Sequence, residues 1–404
     1  MARGAAARRG AALFAMTLAT VVLGAVGAGA AVPRCDGLDA TIVGTTGADV
    51  LRGTAGPDVI VGKAGDDRIV GKGGDDLVCG GSGMDTLKGG DGNDILLGGG
   101  WADFLYGQGG DDVLESGAGG STLVGGRGSD VLTGGADGDW LVGGDGDDEI
   151  VGGDSIDHVA FDGSSAGVTV DLAAGTAVGE GSDTLAEVEW VVGSQFDDDI
   201  TGDDGDNLFF LLGGNDTLDG GGQAEMGDAV IYEWSEAGVT VNLTTGTATG
   251  EGNDTLTGIE HVIGSTFDDT LAGDAGDNFL VGLEGNDVLS GMAGDDGLVG
   301  RDGDDTYDGG PGVDWVDFED APGSVTADLA AGTATGDGND TLTGIEALLG
   351  SQNDDTLTGN AADNTIEGRD GDDVLDGAAG NDTLDGGGGT DTCLNGEDLT
   401  GCEA

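Results

Sequence analysis

A nine-residue period runs through residues 44–160 without a slip. Clear copies are Gly80-Gly81-Ser82-Gly83-Met84-Asp85-Thr86-Leu87-Lys88, Gly89-Gly90-Asp91-Gly92-Asn93-Asp94-Ile95-Leu96-Leu97 and Gly143-Gly144-Asp145-Gly146-Asp147-Asp148-Glu149-Ile150-Val151. The consensus is G-G-x-G-x-D-x-U-x, with U aliphatic, and thirteen consecutive registers fit it. Position six is Asp49, Asp58, Asp67, Asp76, Asp85, Asp94, Asp103, Asp112, Asp130, Asp139, Asp148 and Asp157, and only Ser121 departs. Position eight is Leu, Ile or Val throughout, from Leu51 to Val159. A fixed short period over this length confines the chain to stacked, equivalent turns.

Each nonamer divides into two parts. The first six residues, rich in Gly and ending in Asp, suit a turn, because Gly reaches positive φ without steric cost. The last three, x-U-x, form a minimal strand whose aliphatic residue points inward while its neighbours point out. Two nonamers make a coil of eighteen residues, so residues eighteen apart stack at the ~4.8 Å strand spacing. Asp49, Asp67, Asp85 and Asp103 then form one ladder, and Asp58, Asp76, Asp94 and Asp112 another. Carboxylates at that spacing repel by roughly 3–4 kcal/mol at an effective dielectric near 20. A buried Leu contributes only about 1.5–3 kcal/mol, so one aliphatic residue per nonamer does not hold the stack together alone. A hard divalent cation between successive turns reverses the sign. Ca²⁺ takes six to eight oxygens, which aspartates above and below and the carbonyls of the Gly-rich turns can supply.

These nonamers resemble the RTX (repeats-in-toxin, hemolysin-type) calcium-binding β-roll. The resemblance implies an all-β fold: a right-handed parallel β-roll, or β-helix, solenoid with several Ca²⁺ ions between same-side turns. It also implies that the sixth-position Asp gives a side-chain oxygen, that the turn glycines give carbonyls, and that the fold forms when calcium is present. It says little about biological role.

The net charge of −67 would by itself suggest disorder, but the strict aliphatic register argues for a fold that waits for cations. Ninety glycines do not make this collagen, because Gly does not recur every third residue. So acidic a chain does not bind nucleic acid, and anionic membranes repel it unless Ca²⁺ bridges them. Residues 1–30 read as an export signal: Arg3, Arg8 and Arg9, then the apolar run Ala11 to Val26, then Ala28-Gly29-Ala30 as a small-residue cleavage site. A mature chain without a membrane span, secreted to the extracellular space, is expected. This N-terminal signal departs from the C-terminal one common in RTX proteins. Four cysteines in an exported chain favour disulfides. Of three possible pairings, proximity favours Cys35–Cys79 and Cys393–Cys402, one pinning each end of the solenoid.

A second repeat, about 50 residues long, occurs three times. Its copies open with Val168-Thr169-Val170-Asp171-Leu172, Val239-Thr240-Val241-Asn242-Leu243 and Val325-Thr326-Ala327-Asp328-Leu329. The alternation marks a half-buried strand and the following G-T-A a turn, so each copy is expected to form a β-hairpin-like insert, an excursion from the solenoid wall. After each insert the nonamer register returns. Asp198, Asn207 and Asp216 lie in the first short array, which breaks near Glu225. Asp269, Asn278, Asp287, Asp296, Asp305 and Asp314 lie in the second, and Asp355, Asn364, Asp373, Asp382 and Asp391 in the third. All are candidate metal ligands with those of the first array. Asn keeps an oxygen but loses a charge, so weaker sites are expected at Asn207, Asn278 and Asn364, and weak or absent ones on either side of Ser121. The expected segments are the signal at 1–30, a first array at 31–160, insert-plus-array units at 161–227 and 228–314, and a final unit with disulfide cap at 315–404. Together they should make one elongated body with bends at the inserts.

No catalytic residues are expected. A zinc protease needs H-E-x-x-H, but neither His158 nor His261 is followed by Glu; both are expected on strand surfaces. Gly163-Ser164-Ser165-Ala166-Gly167 matches G-x-S-x-G, yet a strand rather than a helix follows, against a nucleophile elbow. The reading is a secreted, non-enzymatic calcium-binding protein with a structural or adhesive role. The alternatives are a module whose inserts bind an extracellular glycan or protein partner, or the non-catalytic remnant of a secreted RTX enzyme.

Overall fold

Residues eighteen apart lie side by side in parallel strands. Thr86 aligns with Arg68 on one side and Phe104 on the other, and Val113 with Ile95 and Val131. The computed structural model describes residues 33–222 and 226–403, and every regular element among them is a strand. The expected export signal, and the break near Glu225, lie outside the described residues. Successive x-U-x segments go alternately to two facing walls. One wall is parallel throughout, running from Val50–Arg52 to Asp398–Thr400 with 18 strands among the described residues. The other runs from Ile42–Val43 to Cys402–Glu403 with 25.

The core follows from the period. Ile60, Ile69, Val78, Leu87, Leu96, Leu105, Leu114 and Leu123 are fully buried between the walls, and their strand neighbours, Val61 and Leu77 apart, are half-buried or exposed. One aliphatic residue per strand makes a narrow column of apolar side chains along the axis. Each end is tied. Cys35 and Cys79 form a disulfide, and Cys35 packs with Val61 and Leu77 beside the first coils. Cys393 and Cys402 form the second. Both pairings are the ones proximity favours.

The inserts differ from expectation. They do not leave the wall; they are laid into it. The 25-strand wall runs Glu149–Val151, Ser182–Ala186, Thr176–Val178, Thr169–Asp171, Asp199–Thr201 in spatial order. The two contacts around Thr176–Val178 are antiparallel and the outer two parallel. Thr247–Thr249 and Thr333–Thr335 are the reversed strands of the other two copies. The reason lies in the alternating residues. Val170, Ala177 and Leu185 are buried in the common core, and a hairpin projecting into solvent would expose them. Each reversal turns on a left-handed glycine, Gly175, Gly246 or Gly332, at φ of 67°, 63° and 69°. In the chain, three strands of this wall stand between His158–Ala160 and Trp190–Val192, where an ordinary coil places one. Each insert therefore adds two strands to one wall and none to the other.

The outer face of the 18-strand wall carries aromatic side chains in line. Trp140 stacks on His158 at 5.3 Å between centroids, His158 meets Trp190 at 4.2 Å, and Phe210 stacks on Trp234 at 4.4 Å. Farther along, Phe279 stacks on Trp315 at 5.5 Å over Gly297, where a Cβ would strike the Trp315 ring. His158 and His261 sit on this face, half-buried among rings, as strand-surface residues do.

Candidate metal sites

The sixth-position aspartates form two rails, one before each wall, and they are hydrogen-bonded as well as stacked. On one rail the Asp49 N–H donates to Asp67 Oδ1 at 2.7 Å, Asp67 to Asp85 at 2.8 Å and Asp85 to Asp103 at 2.7 Å. On the other, Asp58 donates to Asp76, Asp76 to Asp94, Asp94 to Asp112, Asp112 to Asp130 and Asp130 to Asp148, all at 2.7–2.8 Å. Each Oδ1 is thereby used. The second oxygen, Oδ2, of Asp67, Asp76, Asp85, Asp94, Asp103, Asp112, Asp130, Asp148 and Asp157 is buried without a hydrogen-bond partner. It is turned towards the first-position glycine of its own turn: a Cβ on Gly71, Gly89, Gly107 or Gly143 would fall on the Oδ2 of Asp76, Asp94, Asp112 or Asp148. The space is lined by oxygen and closed to side chains.

A buried carboxylate oxygen without a donor is costly. Burial pushes Asp94, Asp103 and Asp112 up to about 7, with the neighbouring carboxylates adding to the shift. Among the described residues no three His, Cys, Asp or Glu side chains converge as a chelating cluster. A cation here would draw on one or two carboxylates and complete its shell with turn carbonyls. That donor set, all oxygen and largely backbone, fits Ca²⁺ and not zinc.

The turns fall into two classes, which sequence reasoning did not separate. In the open class the second residue has positive φ even where it is not Gly: Lys63 at 92°, Lys72 at 93°, Gln108 at 86°. The Asp Oδ2 is then the orphan just described. In the closed class the second residue's N–H turns in and donates to that Oδ2: Thr45 to Asp49 and Thr54 to Asp58 at 2.6 Å, and Gly135 to Asp139 at 2.7 Å. Ser194 and Ser351 do the same for Asp198 and Asp355 at 2.6 Å, and Ser265 for Asp269 at 2.5 Å. The three serine hydroxyls also donate to the Oδ1 of these aspartates. Asn207, Asn278 and Asn364 close their turns likewise, accepting from Asp203, Asp274 and Asn360 and donating to the carbonyls of Glu189, Glu260 and Glu346. Their amides are satisfied by protein alone.

Basic side chains stand over some closed turns. Lys63 Nζ donates to the Gly44 carbonyl at 2.7 Å, Lys72 Nζ to that of Gly53, and Arg369 to that of Gly350 at 3.1 Å. Arg369 also pairs with Asp317 at 2.6 Å. In each case the base lies in the turn one coil after a closed one, so a covalently held cation faces the carbonyls there.

Of the other predicted ligands, Asp216, Asp287, Asp296, Asp314, Asp373 and Asp382 keep a buried, unpartnered Oδ2. Asp305 receives the Tyr307 hydroxyl at 3.5 Å, and Asp391 accepts the Asp373 N–H at 2.9 Å. Ser121 preserves its rail without a carboxylate: it accepts from the Asp103 N–H at 3.0 Å and donates its own N–H to Asp139 at 2.7 Å. Sequence reasoning missed Asp228, Asp183, Asp254 and Asp340, which continue the rails by accepting from Asn207, Asp148, Asp216 and Asp305. It also missed Glu189, Glu260, Glu346 and Glu397, which accept from Asp157, Asp228, Asp314 and Asp382. A signal for three of them was present: Gly179-Glu180-Gly181-Ser182-Asp183-Thr184-Leu185 is a nonamer turn with an acid in place of its third residue, and residues 250–256 and 336–342 repeat it.

No curated protein matches the chain. The family described as the RTX calcium-binding nonapeptide repeat matches residues 43–78, 80–114, 98–123, 124–159, 192–224, 257–289, 281–316, 349–384 and 367–398. These segments cover more than half of the chain and leave out the three inserts. With its two-walled parallel solenoid and its rails of aspartate, the chain belongs to the RTX calcium-binding nonapeptide-repeat family.

Proposed function

We propose that this is a secreted, non-catalytic protein whose solenoid assembles as calcium fills the open turns, and that it serves outside the cell as a structural or adhesive element. The observation that carries the reading is the row of buried, unpartnered Asp Oδ2 atoms along residues 67–157. Asp67, Asp85 and Asp103 would hold the ions on one rail, and Asp76, Asp94, Asp112, Asp130 and Asp148 those on the other. Bound calcium supplies the positive charge that cancels the repulsion between coils. The chain's own part is to present Oδ2 and turn carbonyls and to keep side chains out of the space. Millimolar extracellular calcium suits many sites of modest affinity, and ligand binding then stabilises the fold by mass action. The two disulfides fit an oxidising compartment.

Circular dichroism of the metal-stripped chain during calcium titration tests this. The expected result is a cooperative gain of β signal with calcium and a far weaker one with magnesium, whose strict octahedral demand the turns do not meet. A flat trace would sink the proposal.

A further inference from the structure

The bases of the folded chain are gathered at one end. Residues 33–79 hold five Lys and Arg against eight acids, whereas residues 80–404 hold four against 71. The coils beside the Cys35–Cys79 disulfide therefore carry little of the self-repulsion that the rest of the solenoid must neutralise.

The turns of these coils are built to match. Those at Thr45 and Thr54 are closed, so the Oδ2 of Asp49 and of Asp58 already accepts a backbone N–H. Lys63 and Lys72 each stand in the next turn of the same rail and reach back one coil, where their ammonium groups donate to the Gly44 and Gly53 carbonyls. A positive charge thus lies between the first two turns of each rail. One coil farther on, the residues aligned with the two lysines are Gly81 and Gly90, which bring no charge. Both lysines hold positive φ, 92° and 93°, a conformation that glycine adopts at less cost. What glycine would not supply is the ammonium group. Arg369 holds a similar place over Gly350, but its guanidinium is paired with Asp317 at 2.6 Å.

The same coils are packed on both faces of their wall. Ile60 and Val78 lie in the common core, and on the outer side Cys35, Val61 and Leu77 form a second apolar cluster. The disulfide joins cysteines 44 residues apart across that cluster, which shrinks the unfolded ensemble.

We propose that the first coil closes without calcium: Lys63 and Lys72 stand in for the first ion on each rail, and the seed so formed is where calcium-driven assembly begins. The seed spans residues 41–58 and rests on the turns that carry the two lysines. Its role as a starting point rests on the calcium reading above; its own closure does not.

The test is hydrogen exchange of the full chain in chelator with both disulfides intact. The reporters are the amides of Thr41, Gly44, Asp49, Gly53 and Asp58, which donate to Val59, Val61, Asp67, Val70 and Asp76 one coil on. They should stay protected by about a hundredfold or more while the array beyond them exchanges freely. The Lys63→Met/Lys72→Met double variant keeps both stems and both disulfides. It should lower that protection about tenfold or more and slow calcium-triggered folding several-fold, with the final β signal in calcium unchanged. Lys88→Met, whose ammonium lies over the Tyr106 ring instead, should change neither. Reporters that exchange freely in wild type overturn this inference and leave the calcium reading standing. Protection unaltered in the double variant overturns the part given to the lysines. A calcium titration that adds no β signal while the reporters stay protected removes the calcium reading and leaves the closed first coil.

Discussion

The first array and the turns that follow each insert carry the same rail of acids, but neutralise it differently. Between residues 62 and 130 the turns are open and every sixth-position Asp keeps a buried, unpaired Oδ2. Directly after an insert the chain restarts with a closed turn on each wall: Ser194 with Asp198 then Asn207, Ser265 with Asp269 then Asn278, Ser351 with Asp355 then Asn364. The first two turns of the solenoid, at Thr45 and Thr54, are closed as well. A closed turn needs no partner above or below. It appears at the start of the chain's stack, after each antiparallel interruption, and once inside the first array, at Gly135, where the preceding residue on the rail is Ser121 and not Asp. The difference sets turns that follow no carboxylate-bearing ordinary coil against those that extend one.

The widest test is metal removal followed by hydrogen exchange. With chelator present, amides at 62–130 should lose protection by orders of magnitude before those at 194–209, 265–280 and 351–366. The opposite order would break the comparison. Next in size is pH. Burial holds Asp94, Asp103, Asp112, Asp216 and Asp287 up to about 7 in the fold, against about 3.9 in an unfolded chain. Between those values the metal-free fold binds more protons than the unfolded chain. The stability that protonation contributes is complete below about 4 and is lost as pH rises through about 7. The stripped protein should therefore show more β signal near pH 4.5 than at 7.5, as read by circular dichroism, and the calcium-loaded protein should show the reverse trend. Equal signals at both values would mean the carboxylates are not buried as described.

Single substitutions sharpen the contrast. Asp94→Asn removes a charge from the ion positions above and below it, and the calcium midpoint for folding should rise roughly tenfold, about 1.4 kcal/mol. Ser265→Ala acts on a closed turn. It should cost about 0.5–1.5 kcal/mol, as for one lost hydrogen bond, in thermal unfolding at saturating calcium, and leave the calcium midpoint where it was. A shift of that midpoint would show that the closed turns also bind calcium.

Much of this architecture was legible in the residues. The period alone sets the eighteen-residue register, places Leu87, Leu96 and Leu105 in the core and stacks Asp67 on Asp85. Cysteine proximity pairs both disulfides. The inserts were harder. The alternation in Val168-Thr169-Val170 marks a strand but is silent about its sheet, and the wall accepted it because Val170 faces the same core as Leu185. The turn classes were not read at all. Thr45, Ser194 and Ser265 stand where Gly or Lys stands in open turns, but their effect lies in a backbone N–H that swings inward, and a consensus hides that. Asp183, Asp254 and Asp340 escaped because they sit in segments set aside as hairpins.

The two walls also differ in length. Two additional strands per insert, at ~4.8 Å each, give the 25-strand wall about 10 Å more contour at each of three places, while the coils on either side tie both walls together. Facing surfaces of unequal length cannot remain straight and in register, so the axis curves or the longer wall bows. On the shorter wall the Trp140 and Trp234 rings lie 6.4 Å apart, Trp234 reaching back from the turn after Ala229–Ile231. Strands of unequal number on the two walls are thus expected to give an arc instead of a rod, with the aromatic face of the shorter wall on its hollow side. Small-angle scattering would read that curvature as a maximum dimension shorter than the stacked coil count requires.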